Sequence, residues 1–151
     1  MGIRFLKIAA VYFIIAVCLG LVMGIIHDFR FASVHAHLNL LGWVSMAIFG
    51  LIYSIFPNAA ETKLAKTHFW LHNIGLPIMQ GALFILLVTG NGAFTIAMII
   101  GSLMLVVGTL LFVINIFTQL NVKQKEIHIN MKLDHYQWHM QVEILEVANF
   151  L

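Results

Sequence analysis

The chain has 151 residues, 62% of them hydrophobic and 9% charged, with a mean hydropathy of +0.99 and a formal net charge of +2. Soluble domains carry about a quarter charged residues, so this balance excludes an ordinary soluble enzyme and specifies an integral membrane protein of the all-α class. The small positive charge follows from where basic residues flank the spans, and nothing in it points to nucleic acid.

Charged side chains are absent from Ile8 to His27, from Phe31 to Ala60 and from Thr67 to Val122. Each gap is long enough for one membrane helix, and the last for two. The pattern predicts four transmembrane helices, at about 5–27, 33–56, 67–89 and 93–118, forming a domain over residues 1–120. The predicted breaks are Asp28 to Arg30, Pro57 to Lys66 and the turn-forming Gly90-Asn91-Gly92. The first apolar run follows Arg4 and Lys7, but it is too long for a signal h-region and lacks a small-residue cleavage site, so it is expected to be a retained helix. Its Cys18 is the only cysteine, which excludes an intrachain disulfide and a CxxCH attachment motif. Any cofactor is therefore expected to be non-covalent.

Arg4, Lys7, Lys63, Lys66, Lys123, Lys125 and Lys132 fall on one side of this topology, against Arg30 on the other. The positive-inside rule then places both termini in the cytoplasm, in a multi-pass protein of the cell's inner (plasma) membrane. His35 and His37 come near the outer face. Two imidazoles one residue apart at the start of a membrane helix suggest ligation or another function, because unpaired imidazole in hydrocarbon is costly. Positions i and i+2 lie about 200° apart on a helix, so the two rings are expected to face nearly opposite sides.

The order of motifs adds to this. HAHLNLLGWVSMAIFGLIYSIFP, a short polar loop and KLAKTHFWLHNIGLPIMQ run from His35 to Gln80. Together they resemble the tenth and eleventh helices of subunit I of the heme-copper oxidases: an HxH triplet, an aromatic-Pro helix end, and a lysine-containing loop leading to HFW and Ile-Gly. Here these are His35 to His37, Phe56-Pro57, His68-Phe69-Trp70 and Ile74-Gly75. The resemblance covers about a third of the chain. It implies that His35 and His37 are axial ligands of heme iron, from opposite sides of their helix. Neutral imidazole suits that iron.

The family's subunit has twelve helices and copper ligands on helices without a counterpart here, so oxygen reduction to water by this chain alone is not expected. A b-type cytochrome is. The family subunit is also built from three pseudo-equivalent four-helix arcs, and a chain resembling one arc is expected to associate with copies of itself, as a trimer in preference to a dimer. His37 of one copy and His35 of the next would then clamp one heme b.

Further residues bear on this expectation. His27, at the outer end of the first helix and expected close in depth to His35, is the rival axial ligand. Asn39 is placed to orient an axial imidazole or a propionate, or else to make an interhelical hydrogen bond. Trp43 and Tyr53 either line a cofactor cleft or pack as core. His68 and His72, at i and i+4, have metal-ligand spacing, but starting from the opposite end of the membrane His72 should differ from His37 in depth by more than about 10 Å. His68 is expected to anchor its helix at the interface with Trp70.

Pro77 should kink the third helix. Gly20 with Gly24, and Gly101 with Gly108, offer small faces for close helix packing. In the cytoplasmic tail, 121–151, His128, His135 and His139 would share one face of a helix, and Met131, Trp138, Val142 and Leu145 an apolar stripe.

Three functions follow: electron transfer with a redox partner or sensing of nitric oxide or oxygen by a heme b protein; a non-catalytic scaffold or assembly factor; and a heme or copper handling protein.

Overall fold

The structure, a computed structural model, describes residues 1–120 and 130–141. Helix α1 is Gly2–Ile26, α2 is Ala32–His37, α3 is Met46–Ile55, α4 is Pro57–Ala60, α5 is Lys63–Thr89 and α6 is Phe94–Gln119. Between α2 and α3 runs a π-helical segment, Leu38–Ser45, which joins them into one continuous span. A further helix, α7, covers 130–141. Among the described residues four spans are long and apolar enough to cross a membrane: α1, Ala32–Ile55, α5 and α6. The protein is an all-helical, multi-pass membrane protein, as the composition requires. In hydrocarbon a helix satisfies its own backbone polar groups, which is why charge-free runs of this length fold this way.

The chain divides into two compact units, Met1–Ile116 and Phe117–Leu151. In the first, α1 packs along the whole second span. The core joins Phe5 and Ala9 of α1, Met46, Phe49 and Tyr53 of α3, Leu76 and Met79 of α5 and Leu105 of α6. A smaller cluster of Ala16, Val34 and Leu38 seals α1 to the start of the second span. Side chains such as Ile14, Leu21, Ile25, Leu103 and Leu110 stay exposed, as lipid-facing positions should.

Helix α5 meets α6 through glycine. A Cβ at Gly101 would lie 2.6 Å from the Met79 backbone nitrogen and 2.7 Å from the Gly75 carbonyl, so only glycine permits this approach. The expected small face on the fourth span is thus used. Of the other pair, Gly20 lies under the His35 ring while Gly24 faces open space.

The expected breaks are present, with local chemistry at each. His27 ends α1 in the left-handed region (φ 53°), and Arg30 then bonds the Asp28 carboxylate through its backbone N–H (3.1 Å) and Nε (2.7 Å). Gly90, at φ 67°, caps α5 by donating its N–H to the Leu86 carbonyl at 2.8 Å. Asn91 Oδ1 accepts from Ala93 N–H to complete the turn. Helix α5 starts four residues before its predicted start. Thr62 is its N-cap, its hydroxyl accepting from Ala65 N–H at 3.0 Å, and that bond admits Lys63 and Lys66 into the first turn.

Pro77 stays within the continuous α5. The Asn73 amide turns back to the Phe69 carbonyl at 2.7 Å, and buried Gln80 has no protein hydrogen-bond partner for its side chain.

Candidate functional site

His35 and His37 close the short helix α2, and the structure sends them to different surroundings. His35 is partly buried against α1, where its Nδ1 lies 2.9 Å from the Ala16 carbonyl. A carbonyl only accepts, so Nδ1 carries the proton and donates it, and neutral His35 has its lone pair on Nε2. His37 is exposed, and its Nδ1 donates to the Ser33 carbonyl one turn back at 2.7 Å. Its Nε2 is likewise the lone-pair nitrogen. Both rings therefore hold a tautomer and a backbone anchor suited to a metal-ligating imidazole, His35 against α1 and His37 exposed.

Asn39, one turn beyond His35, donates its amide to the His35 carbonyl at 3.0 Å and lies 3.3 Å from His35 Nε2. It lies almost as close to Nδ1, at 3.5 Å, so the amide sits against the ring between its two nitrogens. Trp43, in the π-helical segment, stacks obliquely on the half-exposed Phe13 of α1, with centroids 4.7 Å apart. The ring of His35 also lies over Gly20: a Cβ there would come within 2.7 Å of Cε1.

His27 does not share this depth. His35 contacts α1 at Ala16 and Gly20, and His27 comes at least seven residues later, which is about 10 Å or more along the axis. The expectation of equal depth treats α2 as starting level with the end of α1. In the structure the His35 ring reaches down α1 instead, and His27 lies exposed beyond the helix end.

The second histidine pair is inside the protein. His68 is 0% exposed and His72 1%. His68 meets Phe5 (5.3 Å), Phe49 (4.6 Å) and Phe112 (5.3 Å) between ring centroids, and its Nδ1 is 3.0 Å from the Tyr53 hydroxyl. His72 donates Nε2–H to the Leu41 carbonyl at 3.0 Å. That carbonyl belongs to the π-helical segment, so a side chain from α5 bonds the backbone of the second span where its helix is wound wider. His68 Nε2 and His72 Nδ1 are buried without a protein partner.

This corrects two expectations and decides a third point. His68 is core and not an interfacial anchor, because Ala65, His68, His72, Leu76 and Met79 form one buried stripe of α5, while Trp70 lies on the other side, 62% exposed. Of the two readings of Tyr53, core packing holds: the residue is buried in the main cluster and its hydroxyl meets His68. The contact of His72 with Leu41, four residues beyond His37, sets the depth difference near 6 Å, less than expected. The connection before α5 contains α4, whose Ala59 and Ala60 are buried. There Asn115 Nδ2 bonds the Ala59 carbonyl at 2.7 Å and Asn115 Oδ1 accepts from Thr62 at 2.7 Å.

Among the described residues no three His, Cys, Asp or Glu side chains converge on one point. In helix α7, the His135 and His139 rings meet edge to face at 4.5 Å, and Met131 and Trp138 are exposed. His128, Val142 and Leu145 lie outside the described residues.

Sequence reasoning finds His35, His37 and Asn39, but misses the carbonyls of Ala16 and Ser33 that fix the tautomers. The only signal for them is positional: Ser33 lies one turn before His37, and Ala16 and Gly20 form a small stripe on α1. No protein-family model matches this chain, and no curated protein or solved structure matches it.

Proposed function

We propose that this chain is a heme b-binding protein of the inner (plasma) membrane, related to the heme-copper oxidase core, acting in electron transfer or in sensing a small gas such as nitric oxide or oxygen. The observation that carries this is the matched pair of tautomers: His35 and His37 each hold Nδ1–H on a backbone carbonyl and keep Nε2 as the lone-pair nitrogen. The donor set fits heme iron, whose chemistry would be one-electron exchange when six-coordinate and gas binding when a position is open. His35 and His37 would hold the iron, and Asn39 would swing its amide off His35 Nε2 to admit it.

Because His35 lies against α1 while His37 is exposed, one chain does not bring both to a single iron. A second copy supplies the other side: exposed His37 of one protomer with His35 of the next, in a trimer by preference. Both termini lie in the cytoplasm in this proposal, following the basic residues. A redox partner or a gas would meet the heme near the outer face.

Asn39 favours one other function. Its contacts with His35, together with the Ala16 bond, make a self-contained interhelical clasp of the kind a non-catalytic scaffold would use. The visible spectrum of detergent-purified protein, oxidised, reduced and with carbon monoxide, separates the two. A heme protein gives a Soret band at stoichiometric level, and a carbon monoxide shift marks an open or displaceable iron position. Purified protein without a Soret band, before and after reconstitution with hemin, would leave the scaffold.

A further inference from the structure

At the end of the helical unit opposite His35, a cavity of about 420 Å³ opens between the first turn of α1, helix α4 and the first two turns of α5. Arg4 and Lys66 line it from two different helices, with Glu61, Ala60, Phe69 and Trp70. Arg4 is the third residue of one span and Lys66 the fourth of another, so both cations stand within about one turn of the hydrocarbon edge. That is the level of lipid phosphates.

Arg4 and Lys66 are exposed, and the only ion pair among the described residues is that of Arg30 with Asp28. Glu61 therefore makes no direct ion pair with either of them. The apolar side of the cavity is equally placed for lipid. Phe69 turns its ring inward, edge to face on Phe5 with centroids 4.9 Å apart, while Trp70 is 62% exposed one turn deeper than Lys66. An exposed indole at this depth is the usual neighbour of the headgroup layer. The cavity thus offers two cations without a direct ion-pair partner at phosphate level, above an aromatic wall on the lipid-facing surface.

We propose that this cavity is a binding site for an anionic glycerophospholipid, with Arg4 and Lys66 clamping the headgroup phosphate and the acyl chains descending past Trp70. Basic pockets between transmembrane helices recognise phospholipid headgroups by this means. Arg4 supplies a planar fork of donors for phosphate oxygens, and Lys66 a point charge from the facing helix. Glu61, also on the wall, disfavours a small free anion that lacks an acyl anchor.

The test compares lipid retention by the full chain in mixed phosphatidylglycerol and phosphatidylcholine nanodiscs, read by native mass spectrometry. The wild type is expected to retain phosphatidylglycerol selectively, and Arg4→Gln with Lys66→Gln to lose about thirtyfold in relative affinity, roughly fivefold per cation. A control, Lys7→Gln with Lys63→Gln, removes the same charge from the same end of the spans without touching the cavity wall. It should retain the selectivity. Equal losses in the two double variants would overturn the site in favour of diffuse surface charge. Competition by glycerol phosphate or inorganic phosphate as effective as that by phosphatidylglycerol would overturn the lipid as the occupant. All four positions are exposed, and the helical circular dichroism spectrum of each variant verifies that it folds.

Discussion

Two pairs of histidines, one on the second span and one on α5, have had opposite fates in the same fold. His68 and His72 are i and i+4 on one face, the spacing that looks more like a metal site on paper. The structure encloses them in Phe5, Phe49 and Phe112 and ties them to Tyr53 and to the Leu41 carbonyl. His35 and His37 have different surroundings, yet each keeps a ring nitrogen in the ligand tautomer on the outer part of the unit. His72 shows the same pattern, a ring N–H on a backbone carbonyl and a lone-pair nitrogen left over, so what separates the two pairs is burial: His68 and His72 are enclosed, while His37 is exposed and His35 partly buried.

Substitutions can break this comparison at either pair. The largest expected effect is at His37: on the heme reading, His37→Ala removes the low-spin spectrum altogether while the helical content stays, because the side chain is exposed. At the inner pair the expectation reverses. His68→Ala should cost about 3 kcal/mol in stability, measured by denaturant titration in detergent micelles, by leaving a cavity among three phenyl rings and removing the Tyr53 hydroxyl's contact with His68 Nδ1. Its heme spectrum should be unchanged. A lost spectrum with wild-type stability would reverse the roles of the two pairs.

Gly20→Ala sharpens the comparison further. A methyl group there meets the far edge of the His35 ring at 2.7 Å, so the imidazole must leave the Ala16 carbonyl. The spectrum should shift or weaken with less than about 2 kcal/mol lost in stability. Tyr53→Phe removes the hydroxyl that meets His68 Nδ1 and should cost about 1 kcal/mol with no spectral change.

The smallest effect lies at Asp28. Arg30, bonded to the carboxyl by side chain and backbone, holds it below its ordinary value. The contribution is therefore present above the unfolded carboxylate's range and is lost as the pH falls through the lower, folded value. Arg30 is exposed and Asp28 only partly shielded, so thermal melts of wild type and Asp28→Asn should differ only slightly at neutral pH and converge in acid.

The four spans were legible because absence of charge over a membrane's thickness needs no tertiary information. Their turns were too, since Gly90 and Asn91 carry their own conformational signals. The start of α5 was hidden behind two lysines, whose charge reads as loop although the Thr62 cap admits them to the helix. The π-helical segment left no mark in Leu38–Ser45, because the groups it meets, His72 on the Leu41 carbonyl and Phe13 against Trp43, lie on other spans far away in sequence. For the same reason the sequence could name His35 and His37 but not their tautomers. Those depend on where the Ala16 carbonyl arrives.

The central claim is that one heme is held between His37 of one copy and His35 of the next. Its most direct measurement is the reduced visible spectrum of four heme-reconstituted samples: wild type, His35→Ala, His37→Ala, and the two variants co-expressed. The account predicts a low-spin band in the wild type and none in either variant alone. Mixed assemblies should recover about a quarter of the wild-type signal, since random neighbours pair an intact His37 with an intact His35 at that frequency in a ring. A full low-spin band in both single variants, or no recovery in the mixture, would contradict it.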